Sequence, residues 1–267
     1  MTWWVVGLRT LVFGLWLFIT VVPYALFLML ASIFLKGTPL YRLAVGWNRL
    51  TVWGAKVICG VNYRVQGWEH VDQAHAQGLR LIVCPKHQSA WETFFLSTAM
   101  PRTLSYVFKS ELLRVPFFGW ALGRLDMVHI DRSRRTEATR RVSRQGRQLL
   151  DQGNWIIMFP EGTRGPEGGQ LPYNPGAARL AVDTQAPILP IAVTSARCWP
   201  RVGWLIRPGL IEVSVGAPIA VLGRKPKEVM AEVQGWIETE MRRLDPQAYV
   251  NEPPALVLAE QPGGEGA

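Results

Sequence analysis

The chemistry-bearing residues of this 267-residue chain sit in two short stretches, and the first is Leu81-Ile-Val-Cys-Pro-Lys-His-Gln-Ser-Ala-Trp-Glu-Thr93. An apolar strand is expected to end at Pro85 and the chain to turn into a helix near Ser89, which leaves His87 on a strand-to-helix connection. Reactive groups of α/β sheets collect at such connections. Glu92 follows five residues later. On one continuous helix that offset is ~140° and the two side chains would not meet. If His87 precedes the helix and Glu92 lies in its first turn, the carboxylate can reach the imidazole. Such a dyad is a general base: the acid fixes the ring tautomer and the other nitrogen takes a hydroxyl proton. Ser89-Ala-Trp-Glu92 is equally a capping box, in which Glu92 serves only the helix N-terminus. Both readings stand.

The second stretch is an apolar strand, Trp155-Ile-Ile-Met-Phe159, running into Pro160-Glu-Gly-Thr-Arg164. That composition suits an anion. Gly162 lets the backbone approach, Thr163 donates, Arg164 grips a phosphate bidentately, and Glu161 would hold the arginine in place. A plain surface turn with a Glu–Arg pair is the bland alternative. Two further cations are candidates for the same anion: Lys109, in Phe108-Lys-Ser-Glu-Leu112, and Arg132, in Ile130-Asp-Arg-Ser133. Eight arginines fall between Arg124 and Arg147; apart from Arg132 they read as a solvated helix face, and His129 as a strand or surface residue. Three cysteines and four histidines show no metal-ligand spacing, no C-x-x-C and no H-E-x-x-H, so no metal is expected and a reducing compartment fits. Ser89 or Cys84 acting with His87 as a hydrolase lacks a G-x-S-x-G.

These groups need a scaffold, and the sequence divides into three parts. From Thr10 to Leu35 there is no charge, enough for a helix to enter or cross a bilayer, with Pro23 expected to kink it or divide it into two short helices. A single span and a half-inserted hairpin both satisfy this segment. Leu40–Ile58 reads as an amphipathic helix with Arg42, Arg49 and Lys56 on one face and Leu40, Leu43, Trp47, Leu50 and Ile58 on the other. Residues 1–68 carry six basic groups and no acid, whereas the remainder carries 23 basic and 20 acidic groups. A positive front beside apolar sequence points to an anionic membrane surface rather than to nucleic acid, with the rest of the chain on the cytoplasmic face of the cytoplasmic membrane.

Residues 61–249 then alternate short apolar runs with helical stretches. Strands are expected at Asn62–Gln66, Leu79–Cys84, Trp155–Phe159, Ile188–Val193 and Ile211–Val215, and helices at Ala90–Ala99, Arg135–Gln152, Gly176–Thr184 and Lys227–Leu244. The expected fold class is α/β, a mixed and mostly parallel sheet covered by helices, carrying the membrane-anchoring helices of residues 1–60. Residues 250–267, rich in Pro and Gly, read as a disordered tail.

With these residues in view, the chain resembles the 1-acylglycerol-3-phosphate acyltransferase family of the bacterial PlsC type. Four blocks appear in order: His87-Gln-Ser-Ala-Trp-Glu92, Gly123 through Arg132, Phe159-Pro-Glu-Gly-Thr-Arg164, and Pro187-Ile-Leu-Pro190-Ile191. The resemblance implies a glycerol-3-phosphate acyltransferase-like fold and acyl transfer from acyl-CoA or an acyl carrier protein to a lysolipid. His87 and Glu92 would be the catalytic pair, and Arg132, Glu161, Gly162, Thr163, Arg164 and Lys109 would lie around the phosphate. Pro187, Ile188 and Pro190 would line an acyl or acceptor pocket. It implies no cofactor, membrane lipids as partners, and leaves the oligomeric state open. Two positions depart from the family: Glu92 stands where Asp is usual, and Asn174 where Lys is common.

Overall fold

The computed structural model describes residues 2–131 and 134–250. Two long helices open the chain, α1 (Trp3–Ala31) and α2 (Gly37–Cys59). Then follow β1 (Val61–Gln66), α3 (Glu69–Ala76), β2 (Ile82–Pro85), α4 (Trp91–Ala99), β3 (Leu104–Lys109), α5 (Phe118–Leu122) and β4 (Val128–Ile130). The second half contains α6 (Arg135–Asp151), β5 (Trp155–Ile157), α7 (Gly176–Thr184), β6 (Ile188–Val193), β7 (Gly209–Val215) and α8 (Pro226–Leu244). The expected elements all form, within a few residues of the sequence-based bounds. Four were not anticipated: α3, β3, α5 and β4. Three of these are eight residues or fewer and amphipathic only in context, and β3 is an alternating Leu-Ser-Tyr-Val-Phe-Lys run without flanking glycines.

The seven strands of the described residues lie in the order β1-β7-β6-β2-β5-β3-β4, and every neighbouring pair is parallel except β6 with β7. Alternate side chains serve opposite faces. Val83, Ile157, Leu189 and Ile191 join α2, α3 and α4 through Val45, Ala55, Val71, Trp91 and Phe95. Ile82, Ile156, Ile188 and Ala192 join α6, α7 and α8 through Leu149, Leu180, Val229, Val233 and Ile237. Burial on both faces explains why the central strands are continuous apolar runs. The parallel registry Ile82↔Ile156 and Val83↔Ile157 brings the C-terminal ends of β2 and β5 side by side. His87 leaves one of these ends and Pro160–Arg164 the other. Adjacent parallel strands thereby join two stretches that are some seventy residues apart in sequence.

Helix α1 runs unbroken through Pro23, so the expected division into two helices does not occur. The reason is packing along α2 on both sides of the proline, where Trp47 Nε1 donates to Thr20 Oγ1 (3.2 Å) and Tyr24 OH to the Leu43 carbonyl (2.8 Å). The first half of α1 also rests on the α/β body, with Thr10 Oγ1 accepting from the Ile206 amide (3.0 Å) and Phe13 edge-on to Trp199. The second half packs Ala25 and Leu28 with Leu40 and Ala121. The outer face of α1 exposes Trp4, Leu8, Leu11, Leu15, Phe18 and Leu30. On α2, Arg42, Arg49 and Lys56 are exposed while Leu40 and Trp47 are buried, so the helix has a solvated basic stripe and also packs inward.

Candidate active site

The turn from β2 into α4 folds back, and Glu92 meets His87. Glu92 Oε1 lies 2.9 Å from His87 Nδ1. The same carboxylate accepts from the Gln88 and Ser89 amides (2.8 Å each), from Ser89 Oγ (2.8 Å) and from Ser195 Oγ (2.7 Å). Ser89 Oγ in turn accepts from the Trp91 amide (2.8 Å). The carboxylate therefore ties down the turn leading into α4, through the Gln88 and Ser89 amides, and orients the imidazole; the expected capping box does not form, since the N-cap is Ala90 and makes no side-chain cap hydrogen bond. The longer Glu reaches the ring because the turn wraps around its head group. Burial of Glu92 would by itself raise its pKa. The hydrogen bond and charge of His87, then the Ser195 hydroxyl and the Ser89 amide, outweigh burial and hold it below the ordinary carboxylate value.

With Nδ1 turned to Glu92, Nε2 is the nitrogen left for a substrate proton. Phe159 stacks on the imidazole at 3.8 Å between centroids and fixes the ring plane from the side. The second stretch also grips the His87 backbone. Glu161 Oε2 accepts from its amide (2.8 Å), and the Gly165 amide donates to its carbonyl (2.7 Å). Arg164, adjacent to that contact, is exposed. Gly162 adopts φ +70°, a conformation that favours glycine, and makes the turn through its amide to the Phe159 carbonyl. Asn174 steadies this turn from outside, giving both its amide (2.8 Å) and its Nδ2 (3.2 Å) to the Pro160 carbonyl. The residue replacing the common Lys thus has a structural task.

Glu161 does not hold Arg164. It is buried, and its carboxylate turns inward to Lys86, which lies 2.8 Å from Glu161 Oε1 and 2.8 Å from Glu238 Oε1 on α8. Lys86 is 0 % exposed, and it also donates to the Gly169 carbonyl (3.1 Å). Tyr173 donates to the same Glu238 oxygen (2.8 Å). Burial raises the Glu161 pKa and the second carboxylate, Glu238, adds to the rise; the Lys86 ion pair opposes both without cancelling them. Glu161 accordingly belongs beneath the Pro160–Arg164 loop and not on its surface.

The remaining candidates divide. Thr163 is exposed beside Arg164. Lys109 is exposed at the C-terminal end of β3, on the same sheet edge and one strand beyond β5. Arg132 lies outside the described residues, as does the expected tail from 251 onward. Pro187 precedes β6, and Ile188 and Pro190 are buried within it, where Ile188 pairs with Ile82 and Pro190 with Cys84; none of the three lines the apolar cavity described below. The start of a parallel strand points away from the edge that bears the site. The strand that carries the fourth block reaches the dyad through Ser195, beyond the block itself in the 3₁₀ turn after β6. Ser195 and Lys86 escaped sequence reasoning; the only signals were a polar residue following a strand and a charge closing one.

An apolar cavity of about 150 Å³ opens between the helix pair and the body, lined by Leu28, Trp47, Phe94, Phe108, Leu112 and Met127 among others. Its wall includes Thr93, the residue after Glu92. Cys84 is buried with its thiol pKa pushed up by desolvation, which leaves no nucleophile there.

The Acyltransferase family model matches residues 62–194, which contain both halves of the site. A 1-acyl-sn-glycerol-3-phosphate acyltransferase of Pseudomonas aeruginosa is 38 % identical over 224 residues, 82 % of this chain and 85 % of that protein. The chain belongs to the 1-acyl-sn-glycerol-3-phosphate acyltransferase family. A mouse member, the alpha form, is 31 % identical over 185 residues, covering 68 % of this chain and 64 % of its own length. The crystal structure of the 1-acyl-sn-glycerophosphate acyltransferase PlsC from Thermotoga maritima superposes with a TM-score of 0.73 at 22 % identity, over 89 % of this chain and 95 % of that one. This acyltransferase therefore shares that fold, a mixed, mostly parallel sheet covered by helices.

Proposed function

We propose that this acyltransferase transfers a fatty acyl group from an acyl thioester to the sn-2 hydroxyl of 1-acyl-sn-glycerol-3-phosphate, giving phosphatidic acid. One observation carries the reading: a histidine whose Nδ1 is held by a buried carboxylate, with Nε2 free, one hydrogen bond away from a loop that presents an exposed arginine. His87 Nε2 removes the hydroxyl proton as the oxygen attacks the thioester carbonyl. The tetrahedral intermediate collapses, the C–S bond breaks, and the thiolate leaves with the proton carried by the imidazolium. Glu92 holds the tautomer and balances the imidazolium charge. No acyl-enzyme forms. Arg164, with Thr163, binds the acceptor phosphate, and Arg132 and Lys109 are the further cations assigned to it. The apolar cavity takes an acyl chain.

The donor is acyl-CoA or an acylated carrier protein, no cofactor takes part, and the partners are membrane lipids. The enzyme works at the cytoplasmic face of the cytoplasmic membrane. A helix held against the body along both of its halves lies along a bilayer with its exposed face in lipid, which favours half-insertion over a span. Purified enzyme given a panel of acyl thioesters and lysolipids, with products read by mass, tests the reading. Phosphatidic acid should dominate, and Arg164→Ala should raise KM for lysophosphatidate about tenfold or more. An unchanged KM, or equal use of lysolipids lacking a terminal phosphate, would reject the phosphate assignment.

A further inference from the structure

Helix α1 is not the whole of the apolar surface. The loop from Trp199 to Pro208, between the 3₁₀ turn after β6 and β7, exposes Val202 (82 %) and Trp204 (59 %) at its tip. The loop, Trp199-Pro-Arg-Val-Gly-Trp-Leu-Ile-Arg-Pro208, is mostly apolar, and exposed apolar side chains that join a larger apolar patch mark a contact surface. The loop is not loosely hung. Its base closes by the Arg207 amide on the Cys198 carbonyl (2.8 Å) and the Trp199 amide on the Ser195 carbonyl (2.8 Å). The Ile206 amide bonds Thr10 of α1, and the Trp199 ring packs on Phe13. The Trp204 ring lies flush on α1 at Gly7, where an added Cβ would come within 3.2 Å of it. Trp3 (71 %) and Trp4 (88 %) are exposed at that same end of α1. Three exposed tryptophans from two distant stretches of sequence thus gather at one end of the helix, with Arg201 and Arg207 exposed beside them. Indole rings flanked by arginines are the composition of the headgroup level of a bilayer, where apolar bodies enter lipid and cations meet phosphates.

We infer that the Val202–Trp204 tip is a second membrane-contacting element, which enters an anionic bilayer next to the exposed face of α1. Continuity with that face selects lipid as the occupant. The loop also touches both halves of the site. Ser195 at its base bonds Glu92, and Arg201 donates to the Arg164 carbonyl (2.7 Å). Seating the tip in lipid therefore sets the height of Arg164 above the headgroups, where a lysolipid phosphate lies.

The test uses the full-length protein in vesicles of phosphatidylethanolamine and phosphatidylglycerol. Cys59, Cys84 and Cys198 are buried, so a single Val202→Cys takes an environment-sensitive fluorophore selectively. Gln77→Cys, exposed just before β2 at the opposite sheet edge, is the reference. The label at 202 should shift to the blue and be quenched by spin-labelled lipid, while the label at 77 should do neither. An aqueous, unquenched spectrum at 202 overturns the inference. The kinetic arm rests on the proposed acyl transfer. A Val202→Asp, Trp204→Ser double variant should lose about tenfold in kcat/KM on vesicle-borne lysophosphatidate, with less than about a twofold change on a short-chain, monomeric one. Equal loss on both substrates would assign the loop a purely structural part and overturn the inference. Wild-type enzyme inactive on both would reject the acyl-transfer reading instead, and the fluorescence would still decide the loop.

Discussion

Two buried glutamates touch His87, one on its ring and one on its backbone, and their surroundings push them in opposite directions. Glu92 collects five hydrogen bonds, two from amides, two from hydroxyls and one from the imidazole, with no second carboxylate in the cluster. Its pKa is held below the ordinary value despite burial. Glu161 has one cation and one amide, and shares that cation with Glu238; its pKa is raised. Burial is common to both, so burial alone does not set the direction of the shift. The number of donors does, less the cost of any like charge sharing them. A base needs an ionised partner whatever the substrate brings, and that partner is the one provided with excess donors. The carboxylate that only braces the backbone tolerates a less generous environment.

The largest effect expected on this pair comes from removing what they serve. His87→Ala should lower kcat by ~10²–10⁴ with circular dichroism and melting temperature close to wild type. Near-normal turnover would show that the Glu92 side of the comparison has no catalytic meaning. Lys86→Met attacks the other side. It leaves Glu161 and Glu238 buried without their shared cation and should cost about 3–5 kcal/mol of stability in denaturant titration. A loss under about 1 kcal/mol would mean that water or another group already neutralises them. Adding Glu161→Gln to that variant should restore part of the loss.

Ser195→Ala takes one donor of five from Glu92. A hydrogen bond to a charged group contributes about 1.5–3 kcal/mol, so kcat should fall roughly tenfold or more and the acid limb of the kcat/KM profile should move to higher pH. Ser195→Thr should recover both. A fall in kcat without the pH shift would make Ser195 a packing residue. The smallest effect is the pH dependence of stability, where the two glutamates should have opposite signs. The ordinary value for both is 4.5. Glu92, depressed in the native state, contributes stability that is present above 4.5 and lost as pH falls through its native value. Glu161, elevated in the native state, contributes stability that is full below 4.5 and lost as pH rises through its native value. Relative to wild type, Glu161→Gln should therefore gain stability as pH rises from about 4 to 7, and Glu92→Gln should lose it over the acidic end of that range. Parallel curves would erase the distinction.

Much of this was legible without coordinates. The central strands β2, β5 and β6 are unbroken apolar runs because they are covered on both faces, and such runs announce themselves in sequence. The edge strand β4 has three residues and β3 contains a buried serine bonded to the Asp126 carbonyl, so neither stands out from its neighbours. His87, Glu92 and Arg164 were found because they cluster within a few residues of a strand end. Ser195 and Lys86 were not. The reach of Ser195 spans 103 residues and that of Lys86 to α8 spans 152. No local spacing encodes such a contact.

The amino-acid order alone settled the alternation of strand and helix, the apolar front, and which side chains could move a proton or hold a phosphate. All of these follow from local propensity, hydrophobic periodicity and residue chemistry, which act over a few positions. Only the tertiary structure decided that β2 and β5 are neighbours, that Glu161 turns inward to Lys86 while Glu92 faces the ring, and that the loop after β6 shares a surface with α1. Strand order and side-chain direction depend on how distant elements pack against one another, and that is a property of the assembled core.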